Sequence, residues 1–308
     1  MPIEHAAVRT VHKPWGVCDL QPWSDVDGKD GAVGELWFER ANHDAPMPAL
    51  LLKLLFTSEP LSIQVHPDDT YARAMGMPNG KSEAWYIISA KPGAQIGVGL
   101  THRVTPQELR ASITSGAIVD LVQWRPVAPG DVIFVPAGTI HALGAGIVLA
   151  EIQQLSDATF RLFDYGRDRE LHVDDGVAVA HTWPLRPPNA PTRLTDERMV
   201  LVASRHFILE RVELQEASSW ALLAEPETWI LALDGHAAIG LASVSVGQAV
   251  FVGGGRCSIE VGANGLTALI AYPAARPSAS LLQRLCEPST QPVVPDGPAW
   301  KSAAEARA

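Results

Sequence analysis

At 308 residues the chain is long enough for two domains of ordinary size, each with a sizeable core. With 47% hydrophobic and 19% charged residues it has the composition of a folded protein, and a formal charge of -10 without any run of Lys and Arg excludes a general nucleic-acid binder. Cys18, Cys257 and Cys286 lie far apart with no CxxC spacing, which indicates neither a disulfide framework nor a cysteine zinc site and fits a reducing cytoplasm.

The opening MPIEHAAVRTVHKPWG has no apolar core of signal-peptide length, and no later apolar stretch approaches a membrane span. A soluble cytoplasmic protein with no membrane partner is expected. Short segments rich in Val, Ile, Leu and Trp then follow one another: GELWFER, LLKLLFT, LSIQVH, EAWYIIS, AQIGVGL, DVIFVPAG and VLAEIQQL. Gly, Pro and Asp punctuate them, so the fold class is all-β, a sandwich or barrel rather than a doubly wound α/β sheet. One clear helix interrupts the strands: Thr105 is its N-cap, Pro106 its first residue, Glu108 completes a capping box, and it runs to about Ser115. Helical pieces are also read at 69–77 and from Ile118 to Trp124.

The proline-dense stretch 184–191, PLRPPNAP, reads as a linker, because proline removes amide donors and favours extended chain. It separates a first domain, 1–183, from a second, 192–286, and 287–308 reads as a loosely held tail. The second domain looks like a worn copy of the first. EAWYIISAKPGAQIG from Glu83 is echoed by ETWILALDGHAAIG from Glu227, and GDVIFVPAGTIH from Gly130 by GQAVFVGGGRCS from Gly247. Glu83 then corresponds to Glu227 and His141 to Ser258, so the copy retains a carboxylate but loses the imidazole.

The chemistry concentrates in the first domain. Gly130, Pro136, Gly138 and His141 form a turn glycine, a strand, and a shaped turn that aims an imidazole inward. This spacing resembles the second motif of the cupin superfamily. In Leu61–Asp69 the strand period of two places Gln64 and His66 on one face, with Ile63 and Val65 opposite. Glu83 opens a further strand. Two imidazoles with a carboxylate and an amide oxygen suit zinc or another borderline divalent ion. Ordinary cupins carry His-x-His followed closely by Glu, whereas here Gln64 takes the first His position and Glu83 comes seventeen residues after His66.

QVHPDD, GKSEAWYI, PAGTIHALG and EIQQLSDATFRLFDYGR, in this order, together with KPWG and GELW, resemble the type I mannose-6-phosphate isomerases in their short bacterial form. The resemblance is good from about residue 13 to 173 and weaker beyond. It implies two cupin-like jelly-roll barrels with a few short helices, a catalytic first domain and a degenerate second one. It also implies a zinc ion held by Gln64, His66, Glu83 and His141, the four residues selected by spacing. The family's catalytic arginine falls on Arg161, and Lys81 and Glu151 fall in its pocket. The implied reaction interconverts mannose 6-phosphate and fructose 6-phosphate through an enediol, so the expected partner is a small sugar phosphate.

The proton-transfer base stays open among a pocket carboxylate, Lys81, His102 and a metal-bound water. On the structural alternative, Arg161 pairs with Asp157 or Asp164, Lys81 is a solvated loop charge, and Glu151 orients a ligand. His172, His181 and Glu227 are read as surface or core residues, and Trp15, Trp37 and Trp85 as packing. Rival functions are an iron-dependent cupin oxygenase and a non-enzymatic sugar-phosphate-binding cupin. The oligomeric state is not legible.

Overall fold

Alternating apolar and polar residues between Gly and Pro breaks produce strands almost throughout the chain. The computed structural model describes residues 2–26, 28–42, 44–185 and 190–285. The linker stretch falls partly, and the tail wholly, outside them. Among the described residues the fold is all-β with four short helices, as expected.

The first half holds β1 (Ile3–His5), β2 (Ala7–Val17), β3 (Val33–Glu39), β4 (Leu50–Phe56), β5 (Ile63–Val65), α1 (Asp69–Ala74), β6 (Glu83–Ala90), β7 (Gln95–Leu100) and α2 (Pro106–Ser115). It continues with α3 (Ile118–Leu121), β8 (Val122–Pro126), β9 (Val132–Val135), β10 (His141–Leu143), β11 (Ile147–Gln154), β12 (Phe160–Phe163) and α4 (Val173–Val179). Two antiparallel sheets result, one in the order β2-β3-β4-β11-β6-β9 and one in the order β12-β5-β10-β7-β8. The second half holds β13 (Thr192–Arg193), β14 (Arg198–Ala203), β15 (Ile208–Leu214), β16 (Ser219–Ala224), β17 (Thr228–Ile239), β18 (Ala242–Ser245), β19 (Ala249–Val252), β20 (Gly255–Tyr272) and β21 (Leu282–Arg284). These strands form one further sheet, in which β1 pairs with β19, so the start of the chain is stitched into the second half.

The capping box of α2 is present in full: Glu108 N donates to Thr105 Oγ1 at 3.2 Å and Thr105 N donates to Glu108 Oε2 at 2.7 Å. The helical reading of Ile118–Trp124 is corrected. The helix stops at Leu121, because Val122–Pro126 pairs with β7, with Gly97 opposite Trp124, and sheet pairing overrides the weak local preference. Helix α4 was not foreseen. It has no side-chain cap and carries Gly176 at its centre, and it is held by packing Val173, Val177 and Val179 on Phe160 and Leu162 of β12.

Strand β4 shows why its sequence is nearly all apolar. Leu50, Leu52, Leu54 and Phe56 join a core between the two halves, with Leu209, Trp229 and Phe251, while Leu55 faces the interior of the first half with Trp85, Ile87 and Leu149. A strand covered on both faces loses its alternation. Lys53 is the one charged residue in it, 3% exposed and on the interior side.

The worn repeat has a structural twist. In the first copy Glu83 lies opposite Val135, whereas Val252, the counterpart of Val135, lies opposite Thr228 and not Glu227. The pairing has slipped by one residue, and the faces differ accordingly. Trp85 points into the first half's interior, while Trp229 points out into the core between halves.

Candidate metal centre

The site is built from two rows of directly opposed residues on facing sheets. On the five-stranded sheet the row runs Arg161, Gln64, His141, Val98 across β12, β5, β10 and β7. His66 follows β5 on the same face as Gln64. The turn before His141 is fixed by Gly138, at φ 84°, whose amide donates to His66 O at 2.8 Å. A Cβ there would lie 2.8 Å from the His181 ring, so only glycine fits without a shift.

Glu83 arrives from the six-stranded sheet. Its Oε2 is 3.4 Å from His66 Nε2 and its Oε1 is 3.3 Å from His141 Nε2. All three residues are 1% exposed, and one ligand atom from each lies within 4.8 Å of the others. Gln64 completes the rim, its amide nitrogen 3.3 Å from His141 Nε2 and its amide oxygen accepting from Ser62 Oγ.

The outer nitrogens of both rings are already used. His66 Nδ1 donates to Ala158 O at 2.8 Å and His141 Nδ1 donates to Thr139 O at 2.9 Å. A carbonyl only accepts, so each Nδ1 carries the proton and each Nε2 turns its lone pair toward Glu83. Burial, followed by the charge of Lys81, pushes the His66 pKa down to about 3; burial also lowers His141. Burial alone would raise the Glu83 pKa, but the Lys81 ammonium outweighs it and keeps the carboxylate ionised. Neutral imidazoles oriented by backbone carbonyls, around a carboxylate, are the donor set that a divalent ion of the zinc type takes.

Lys81 is buried, 5% exposed, with Nζ 2.9 Å from Glu83 Oε2 and 3.1 Å from His66 Nε2, so it is not a solvated loop charge. Burial works to lower its pKa, but Glu83 and Glu151 together hold it above the usual lysine range, as an ammonium. Beyond the cluster opens a cavity of about 250 Å³. Lys53, Glu151 and Trp85, opposed across β4, β11 and β6, form its wall, and the row continues beyond the cavity to Trp37 on β3. Trp85 Nε1 donates to Glu151 Oε2 at 3.0 Å, and Lys53 Nζ is 3.3 Å from Glu151 Oε1. Burial and the nearby Glu83 raise the Glu151 pKa, partly offset by Lys53. On the next turn of the pleat Glu35 accepts from Trp37 Nε1 at 2.6 Å and faces Lys13 and Lys53 at 3.3 and 3.6 Å.

Gln64, Lys81, Glu83, His141, Glu151 and Arg161 all line this one cavity, with His66 buried at its floor beside Lys81. Arg161 makes no ion pair with Asp157 or Asp164; its Nη1 donates to Glu170 O at 2.7 Å. His172, read as uninvolved, clasps the Arg161 backbone, donating N–H to its carbonyl at 2.8 Å and accepting from its amide at Nδ1. His102 is exposed and lies away from the cavity. Sequence reasoning passed over Glu35, Lys53 and Arg169; the lone lysine in the apolar run LLKLLF was the available signal, since a buried charge demands a partner.

No family model matches the chain. A mannose-6-phosphate isomerase of Streptococcus mutans is 37% identical over 208 residues, covering 62% of this chain and 63% of that protein. One from Bacillus subtilis is 40% identical over 179 residues, covering 54% and 55%. Over these stretches the chain is similar in sequence to mannose-6-phosphate isomerases. Its matches span less than two thirds of the length of these curated relatives. The likeness in three dimensions is longer: the crystal structure of the Bacillus subtilis mannose 6-phosphate isomerase superposes with a TM-score of 0.74 at 25% identity, over 87% of this chain and 98% of that one. A zinc-bound mannose 6-phosphate isomerase shares the fold, with a TM-score of 0.69 at 14% identity over 88% and 99% of the two chains. The resemblance to the mannose-6-phosphate isomerases is thereby borne out. Among the described residues no helix is long and apolar enough to cross a membrane.

Proposed function

We propose that the protein is a zinc-dependent aldose–ketose isomerase that interconverts mannose 6-phosphate and fructose 6-phosphate in the cytoplasm. The observation that carries the reading is the cluster of His66, Glu83 and His141 at the floor of a polar cavity of hexose-phosphate size. These three, with Gln64, would hold the metal. When bound, zinc would supply a Lewis acid able to stabilise negative charge developing on the substrate's oxygens.

The chain's own groups divide the remaining work. Glu151, whose acidity burial weakens, takes a proton from one carbon and returns it to the other. Lys81, kept as an ammonium, is an electrostatic partner for the developing oxyanion rather than the base. Arg161, clasped by His172, offers further donors to the substrate. The apolar patch of Trp15, Leu55, Leu61 and Leu143 excludes water from the reacting carbons. The domain division at 184–191 belongs to the same proposal, with the chemistry confined to the first half.

The test is a coupled assay of mannose 6-phosphate isomerisation with zinc-loaded protein. Turnover that is restored by zinc after chelation is expected. Binding without interconversion, or iron-bound protein with oxygen-dependent turnover, overturns the reading.

A further inference from the structure

Two arginines leave the loop after β12, and their surroundings differ. Arg167 spends its guanidinium on protein groups: Nη1 donates to Asp164 Oδ1 at 3.0 Å, and Nη2 donates to Glu59 Oε2 at 3.1 Å and Pro60 O at 2.7 Å. It does not line the cavity. Arg169 does line it, beside Arg161. Arg169 donates from Nε and from Nη2 to the two oxygens of Asp164, both at 2.6 Å. A guanidinium has five N–H groups, so this fork leaves one edge, made of one hydrogen of Nη1 and the second hydrogen of Nη2, without a partner among the described residues. Arg161 likewise keeps a buried Nε without a partner among the described residues.

The carboxylate between the two arginines is built in. Asp164 is 3% exposed, and Arg169 and then Arg167 outweigh the effect of burial and hold its pKa below the usual range. Tyr165 at φ 54° and Gly166 at φ 80° form the left-handed turn that folds the arginines back over it.

We propose that Asp164 is a positioning residue, which presents the free edge of Arg169 to the cavity so that Arg169 and Arg161 together take the dianionic phosphate of the substrate. A bidentate guanidinium edge matches two phosphate oxygens, and a fixed fork loses less freedom on binding than a free arginine. The identity of the ligand rests on the isomerase reading above.

The experiment compares zinc-loaded wild type, Asp164→Asn and Arg169→Gln in two measurements: calorimetric binding of inorganic phosphate, and kcat and KM for mannose 6-phosphate. In both variants phosphate affinity is expected to fall, and KM to rise, by about tenfold, with kcat within about threefold of wild type. Arg169→Lys keeps the charge but loses the edge and falls between. Unchanged phosphate affinity in the variants, or a loss confined to kcat, overturns the proposal, as does a wild type that binds no phosphate at millimolar concentration. If Asp164→Asn fails to fold, Arg169→Gln decides on the same terms. A wild type that binds phosphate but never isomerises the sugar sinks the isomerase reading alone, and the calorimetry still decides the role of Asp164.

Discussion

Glu83 opens β6 and Glu227 immediately precedes β17, at matching places in two copies of one sequence pattern, yet they do unrelated things. Glu83 faces two imidazoles and an ammonium inside the first half. Glu227 faces outward, where it accepts Ala49 N at 2.6 Å, Leu50 N at 2.9 Å and Trp229 Nε1 at 3.2 Å, capping the start of β4. It is neither a surface residue nor a relic; it ties the second half to the strand that carries Lys53. The interior behind it is filled by apolar residues such as Val200, Ile208, Trp220 and Val250, with Arg198, Glu210 and Tyr272 as a closed hydrogen-bonded set. A carboxylate at the head of a strand thus becomes a ligand or a cap according to which face the pairing register gives it.

The comparison breaks most sharply at His141. His141→Ala is expected to lose bound zinc and to lower activity by more than about a hundredfold, since even partners behind a metal ligand are worth ten- to a hundredfold. Metal analysis alongside the assay checks this, and a variant that keeps its zinc would remove His141 from the site. Glu151→Gln should keep zinc and fold while kcat drops by about 10²–10⁴, the usual range for a proton carrier, with KM little changed. A loss expressed mainly in KM would reassign Glu151 to binding.

Glu227→Gln probes the other side of the comparison. One of its two acceptor oxygens becomes an NH₂ group facing a backbone amide, so stability should fall by about 1–3 kcal/mol with zinc content unchanged. Denaturant titration with metal analysis reads both; loss of zinc would mean that the two halves are not separate in function. The smallest effect is expected at Asp164 in acid. Its folded pKa is depressed by the two arginines, so the stability it contributes is complete above the unfolded value of 3.8 and is lost as pH falls through the lower folded value. Unfolding curves of Asp164→Asn should therefore lack that part of the acid dependence, and curves parallel to wild type would remove the ion pairs from the account.

Much of this was legible in one dimension. The strands, the capping box of α2 and the four residues Gln64, His66, Glu83 and His141 follow from the period of two, from turn residues and from motif order, all of which act over a few neighbouring residues. The helix–strand switch at Leu121 and the uncapped α4 were hidden because packing partners distant in sequence decide them. The slip that turns Glu227 outward, the row that brings Trp37, Lys53, Glu151 and Trp85 together, and the insertion of β1 beside β19 depend on which strands pair and in which register. Local sequence determined what each strand carries. The tertiary fold decided which side of the sheet it shows and what it meets there, because a one-residue shift in pairing costs little locally and reverses every side chain.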